Sequence, residues 1–216
     1  MALLYSAQLR PTKFELLAGW LPAQQWFAHD PGAELGRLGA FRLDDPAGEV
    51  GVEVLLVEVE GEVLQVPLAY RGAPLPGAEQ WLVGTMEHSV LGSRWVYDAC
   101  ADPVYANVLA AVMRGDAAQA EEVLVGEDGV ARPRAASVTV GATGPAATLP
   151  EVAPLPDDSP APCATSGSVT AIRLGAVDLA VRRVLDLDAR GQDLPGVVAT
   201  WPGQADPVLL VAASPA

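Results

Sequence analysis

Two apolar runs, residues 50–59 and 63–70, are separated only by Glu60-Gly61-Glu62, and this arrangement constrains the fold more than any other feature. A short polar turn with a central glycine between β-branched runs reads as a β-hairpin. On the second run Leu64, Val66, Leu68 and Tyr70 share one face. On the first, Glu53 falls on the odd face and Glu58 and Glu60 on the even one, which predicts a bulge or bend near Leu55-Leu56. Pro67 has no amide hydrogen, so that side of its strand must face an edge or a bulge. The carboxylates of Glu53, Glu58, Glu60 and Glu62 read as solvated edges.

The hairpin extends into a larger pattern. Residues 35–43 form a strand ending in a turn at 44–48, and residues 80–90 and 93–97 make two more strands around Gly92. A curved antiparallel sheet of four or five strands follows. Residues 11–21 read as a short helix stopped by Pro22, with Phe14, Leu17, Ala18 and Leu21 on one face. Asp102-Pro103 opens a stronger helix, since aspartate accepts orphan amides and proline suits the first turn. Val104, Val108 and Val112 stripe it and Gly115 closes it, with Asp116 predicted to cap a further helical stretch through Glu122. Residues 141–163 hold six of the chain's 19 prolines and read as a linker or mobile loop. Beyond them, 168–174 and 177–185 form a hairpin through Gly175-Ala176, residues 208–213 a last strand, and 137–140 a strand able to pair with them. The expected fold class is α+β, with one unit over residues 1–130 and a small β unit over 131–216. The first is expected to fold alone and the second to need its surface.

Charge and residue type narrow the chemistry. The 216-residue chain carries 27 acidic and 13 basic residues, a net charge of −14. Such a surface repels phosphate backbones and anionic lipids, so nucleic-acid and membrane roles are not expected. Met1-Ala-Leu-Leu-Tyr5 lacks a basic leader, which predicts a cytoplasmic protein. Lys13 is the single lysine beside twelve arginines. Cys100 and Cys163, far apart, read as idle thiols, and His29 and His88 have no ligand-spaced partners, so no metal site is expected. Gly-x-Ser-x-Gly and phosphate-loop frames are absent around Ser166-Gly167-Ser168, and no catalytic residue is assigned. Trp201, between Thr200 and Pro202, is the tryptophan expected to be exposed, and it is the candidate for stacking on a sugar ring.

Three stretches carry a family resemblance: Leu21-Pro-Ala-Gln-Gln-Trp-Phe-Ala28, Val66-Pro-Leu-Ala-Tyr-Arg-Gly72 and Gly92-Ser-Arg-Trp-Val-Tyr-Asp-Ala-Cys-Ala-Asp-Pro-Val-Tyr105. In this order they resemble the N-terminal cap domain of actinobacterial maltokinases, with Gln25 standing where the family commonly carries arginine. The resemblance implies a cystatin-like curved sheet with packed helices and a link to maltose- or trehalose-to-glycogen (α-glucan) metabolism. Residues 164–183 are similar to the family's first kinase N-lobe strands, where a Ser/Thr-rich turn covers the nucleotide and a lysine on the next strand reaches its phosphates. That lysine's place falls at Ala180. With no kinase C-lobe up to Ala216, the chain is expected to be a non-catalytic, pseudoenzyme-like protein acting through a protein partner or a homo-oligomer, without cofactors. The alternative is part of a split ATP-dependent sugar kinase, with ATP and Mg bound at Ser166, Ser168 and Arg182. A carbohydrate-binding module at Trp201 is the third possibility.

Overall fold

The computed structural model describes residues 2–5, 8–125, 130–144, 152–188 and 194–216. Strands β1 (Ala2–Tyr5) and β2 (Leu9–Arg10) precede helix α1 (Lys13–Trp20). Five longer strands follow: β3 (Gly36–Leu43), β4 (Gly51–Val59), β5 (Glu62–Arg71), β6 (Leu82–His88) and β7 (Gly92–Asp98). Helix α2 (Pro103–Arg114) leads into β8 (Glu122–Val125), β9 (Ala131–Arg134) and β10 (Thr139–Thr143). The last strands are β11 (Cys163–Ser166), β12 (Val169–Leu174), β13 (Val177–Arg182), β14 (Val184–Leu185), β15 (Gly196–Trp201) and β16 (Gln204–Pro215).

These strands form three sheets. The first runs β2-β6-β7-β5-β4-β3, with β14 added beside β5, and it curls into a half-barrel. The second is a six-stranded antiparallel sheet in the order β10-β15-β16-β13-β12-β11, and the third is a small β1-β8-β9 sheet. Antiparallel β therefore dominates, with two short helices.

The helix ends follow the local chemistry. Thr12 caps α1, its hydroxyl accepting from the Glu15 amide while the Glu15 carboxylate accepts from the Thr12 amide. Asp102 caps α2 by accepting from the Val104 amide, and Gly115 ends that helix in the left-handed conformation. The helical stretch expected from Asp116 to Glu122 is absent. Instead the Ala120 amide donates to the Arg42 carbonyl, and Glu122 begins β8, so the segment is taken up by sheet contacts.

Both helices pack apolar residues against β4, on opposite faces. Val52, Val54 and Leu56 look toward α2, while Leu55, Val57 and Val59 look toward α1 and Trp26. A strand covered on both faces has no solvent side to keep polar, so the change of phase along β4 needs no bulge at Leu55-Leu56. β4 pairs with β5 without a shift, and the irregularity lies in β3 between Arg37 and Gly39. Pro67 follows the edge rule. The Gln65 amide donates to Arg183, so the same side of Pro67 faces the seam where β14 ends and β7 begins beside β5.

α2 is buried on both sides, because Val104, Leu109 and Met113 belong to a core that also holds Ile172, Leu179 and Val211 of the six-stranded sheet. The segment expected as a mobile loop is partly structured. Residues 139–143 are β10, residues 145–151 lie outside the described residues, and 152–162 are tied down. There Asn107 exchanges two hydrogen bonds with the Leu155 backbone, and the Ala161 amide donates to Ala101.

Gly196 leaves no room for a side chain, since a Cβ there would lie 2.2 Å from the Val211 carbonyl oxygen. Gly196→Ala is expected to destabilise the protein by about 1–3 kcal/mol, because the obstacle is backbone and cannot rotate away. Urea unfolding of the variant beside the parent measures this, and an unchanged midpoint would show that β15 and β16 separate freely.

Candidate functional site

Side-chain alternation decides what the concave face of the half-barrel carries. On β4, Glu53 is in phase with Leu55, Val57 and Val59. Cross-strand pairing puts Arg42 opposite Glu53, Tyr70 opposite Gly51, Val96 opposite Tyr70, Arg94 opposite Met86, and His88 opposite Gly92. Leu17 and Leu21 of α1, with Trp26, cover the apolar part of this face. The other end stays open as a cleft of about 860 Å³, whose lining includes Lys13, Arg42, Glu53, Tyr70, His88 and Arg94.

Glu53 is the centre of the site and is only 4% exposed. Its Oε2 accepts from Lys13 Nζ and, at 2.9 Å, from the Tyr70 hydroxyl, and lies 3.6 Å from Arg42 Nη2. Burial works against the carboxylate's charge. Lys13 and Arg42, with the Lys13 and Tyr70 hydrogen bonds, outweigh it and hold the pKa down at about 2. The Tyr70 hydroxyl is pushed the other way, well above its ordinary value, by burial and by the Glu53 charge beside it. Lys13 sits 5.5 Å from the Tyr70 ring centroid, and its pKa is lowered. Burial is the main cause, and Arg42 and Arg37 add to it against the pull of Glu53.

His88 also lines the cleft. Its Nδ1 accepts from the Val90 and Leu91 amides at 3.2 and 3.1 Å, which leaves the proton of the neutral ring on Nε2. Its pKa is lowered by burial first and then by Arg94, Lys13 and Arg42. The lining as a whole is mixed in charge, with Lys13, Arg37, Arg42, Arg94 and Arg134 beside Asp44, Asp45, Glu49, Glu53 and Glu122.

The residues singled out from sequence lie elsewhere. Ser166 and Ser168 are exposed on either side of Gly167 in the β11–β12 turn. Arg182 is half-buried and pairs with Val169, next to Ser168, so the three are neighbours, but none lines the cleft. Trp201 corrects an expectation: it is 8% exposed and packed in the core shared by α2 and the six-stranded sheet. It ends β15 and pairs with Gln204 across a tight turn, which directs its ring inward and leaves no face for a sugar. His29 lies between the Glu60 and Glu62 carboxylates, each at 3.0 Å. Cys100 and Cys163 are free thiols with raised pKa values, Cys163 up to about 12, chiefly through burial.

Sequence reasoning missed the cleft by assigning Glu53 to a solvated edge. The available signal was Glu53 alone among Leu55, Val57 and Val59 on one face, in a chain with one lysine. Among the described residues no three His, Cys, Asp or Glu side chains gather as a metal site. No helix among them is long and apolar enough to cross a membrane.

No curated protein matches this chain. The stretch that builds most of the half-barrel is similar to a known family: residues 20–102 match the family model of the maltokinase N-terminal cap domain.

Proposed function

We propose that the chain is a non-catalytic cap-like module that acts by association, with a protein partner or a second copy of itself, in the setting of α-glucan metabolism. The link to maltose and trehalose use rests on the cap-domain match alone. The observation that carries the association reading is the rim of the cleft. Leu91 from the β6–β7 turn and Leu124 from β8 both line it, at 47% and 40% exposed, with Val90 beside Leu91 at 54%. Large apolar side chains gathered at one mouth from separate hairpins suit a contact surface.

The non-catalytic part rests on electrostatics. A general acid or base works best with a pKa near the operating pH. Glu53 is locked as a carboxylate at about 2, and Tyr70 is locked as a phenol. Both serve to fix the geometry of the cleft. Sedimentation equilibrium of the chain and of a Leu91→Ser/Leu124→Ser variant tests the reading for self-association. A concentration-dependent mass that the variant loses is the expected result. A strict monomer that also fails to co-sediment with any enzyme of the pathway would overturn it.

A second reading is favoured by one observation, the closeness of Ser166, Ser168 and Arg182 around an exposed glycine turn. In that reading the chain supplies part of the nucleotide site of a split ATP-dependent sugar kinase. A thermal shift with ATP and Mg, lost in Arg182→Gln, would support it, and an unmoved Tm at saturating nucleotide would remove it.

A further inference from the structure

We propose that the β1-β8-β9 sheet is a strap across the open end of the half-barrel, which lifts as one unit and so controls access to Lys13 and Glu53 in the cleft. The inference does not rest on the association reading, since a strap moves within a single chain. The first argument is where the sheet is fastened. β3 and β2 are the two edge strands of the half-barrel. On the β3 side the Ala120 amide donates to the Arg42 carbonyl and Gln119 bridges to Leu43. There too the Ser137 hydroxyl accepts from the Ala40 amide and donates to the Ala40 carbonyl. On the β2 side the Gln8 amide donates to the Ser89 hydroxyl, and the Ser89 amide donates to the Gln8 carbonyl. β8 and β9 leave from the first set of fastenings and β1 from the second, so their sheet reaches from one edge to the other.

The second argument is how little holds the sheet between those points. Its three strands pair with one another, and no ladder joins them to either larger sheet. Among the described residues, no side chain of β8 or β9 belongs to a hydrophobic core cluster. β9 is exposed along its whole length. The fastenings stop at Ala120 and Ser137, which leaves Glu121 on one leg and Ala135-Ala136 on the other, exposed and outside any strand. A contiguous unit with few buried apolar contacts and backbone bonds open to water separates at a lower free energy than the protein unfolds.

The third argument is what the sheet shows to the cleft. Glu122 and Leu124 share one face of β8, and Arg134 pairs with Glu122 from β9, so all three sit on the same side. All three line the cleft, and the strap is therefore one of its walls. Leu124 is 40% exposed and Leu91, on the rim at the β6–β7 turn, is 47% exposed, so little apolar burial holds the strap down. Glu122 and Arg134, 3.7 Å apart, travel together, and lifting the strap does not separate that pair. Lifting it does remove one wall from around Lys13 and Glu53. Lys13 is the chain's single lysine and its side chain is 23% exposed, so its reactivity reports how often the wall is away.

Hydrogen exchange of the whole chain, read by mass spectrometry at a dilution where the chain is monomeric, tests this without any variant. Amides of 122–125 and 131–134 are expected to exchange together, about 100-fold or more faster than those of β4 and β5. Their rate is expected to change little with low urea, because lifting the strap exposes little surface. A second measurement fixes the strap in place. Leu91→Cys/Leu124→Cys, in a Cys163→Ser background that leaves only the fully buried Cys100, is bridged with a short bismaleimide. Bridging is expected to slow acylation of Lys13 by acetic anhydride about tenfold, and to slow exchange at 122–125 with it. Exchange at 122–125 that follows global unfolding, a pair that does not bridge, or Lys13 acylated equally fast with and without the bridge would each overturn the proposal. A monomer that gives the expected rates would uphold the strap even where self-association fails.

Discussion

Asp98→Ala is expected to cost about 3–5 kcal/mol, because it strands a guanidinium in the core. Arg183 is fully buried, and its Nη2 donates to Asp98 Oδ2 at 2.5 Å while its Nε donates to Thr170 Oγ1 at 2.8 Å. The guanidinium carbon lies 5.3 Å from the Trp26 ring centroid. Burial opposes the guanidinium's charge, yet Asp98 more than outweighs it and raises the pKa above the ordinary arginine value. Without the carboxylate, a hydroxyl and a ring face would have to hold a full positive charge away from water. Asp98 also accepts from the Cys100 amide at 3.1 Å, so the turn into α2 loses its anchor as well.

For a domain of this length the expected fall in Tm is about 6–20 °C. The control is the double variant Asp98→Leu/Arg183→Met, which removes both charges and is expected to recover most of the loss, since an apolar pair of similar volume needs no desolvation. Urea unfolding of the single and double variants measures both. A loss below about 1 kcal/mol in Asp98→Ala would show that water reaches Arg183 and that the pair is no latch.

This pair has architectural weight because of where it sits. Arg183 lies between β13 of the six-stranded sheet and β14, which joins the half-barrel beside β5. Its amide donates to Ser168, its carbonyl accepts from Gln65, and its side chain reaches Asp98 at the end of β7. The Gln65 side chain completes the join by donating to the carbonyls of Arg182 and Leu210. One residue thus links both sheets by backbone and side chain together.

What could be read in the sequence was local. The hairpin of β4 and β5, the capped helix α2 and the β12–β13 hairpin each declare themselves within about 20 residues, through turn glycines, a capping aspartate and alternation. What could not be read depends on partners distant in the chain. Arg183 meets Asp98 across 85 residues and Lys13 meets Glu53 across 40, and no short pattern encodes either meeting. The burial of Trp201 was hidden for the same reason, since a Thr-Trp-Pro sequence resembles an exposed turn until β16 folds back upon it. Apolar residues on both faces of β4 hid the polar site too. Glu53 looked like a change of phase, when it marks the place where the apolar face ends and the cleft begins.

The acid limb of stability gives the sharpest test of that cleft. Glu53 ionises at about 2 in the folded protein against an ordinary 4.5, so the folded state favours its charged form. A depressed carboxylate contributes stability that is fully present above its unfolded pKa and is lost as pH falls through the folded one. The window here runs from about pH 4.5 down to about pH 2, and a shift of this size corresponds to about 3 kcal/mol. About 2 kcal/mol of that is expected to have gone by pH 3. Glu53→Gln keeps an acceptor for Tyr70 but cannot carry the charge, so it is expected to be less stable than the parent at pH 7 and to lose less on acidification. Other carboxylates titrate in both proteins, and the difference between the two pH profiles isolates this one. Urea unfolding of both proteins at pH 7 and pH 3 gives that difference directly. Parallel profiles would mean that Lys13 and Arg42 do not hold Glu53 ionised, and the charged floor of the cleft would have to be redrawn.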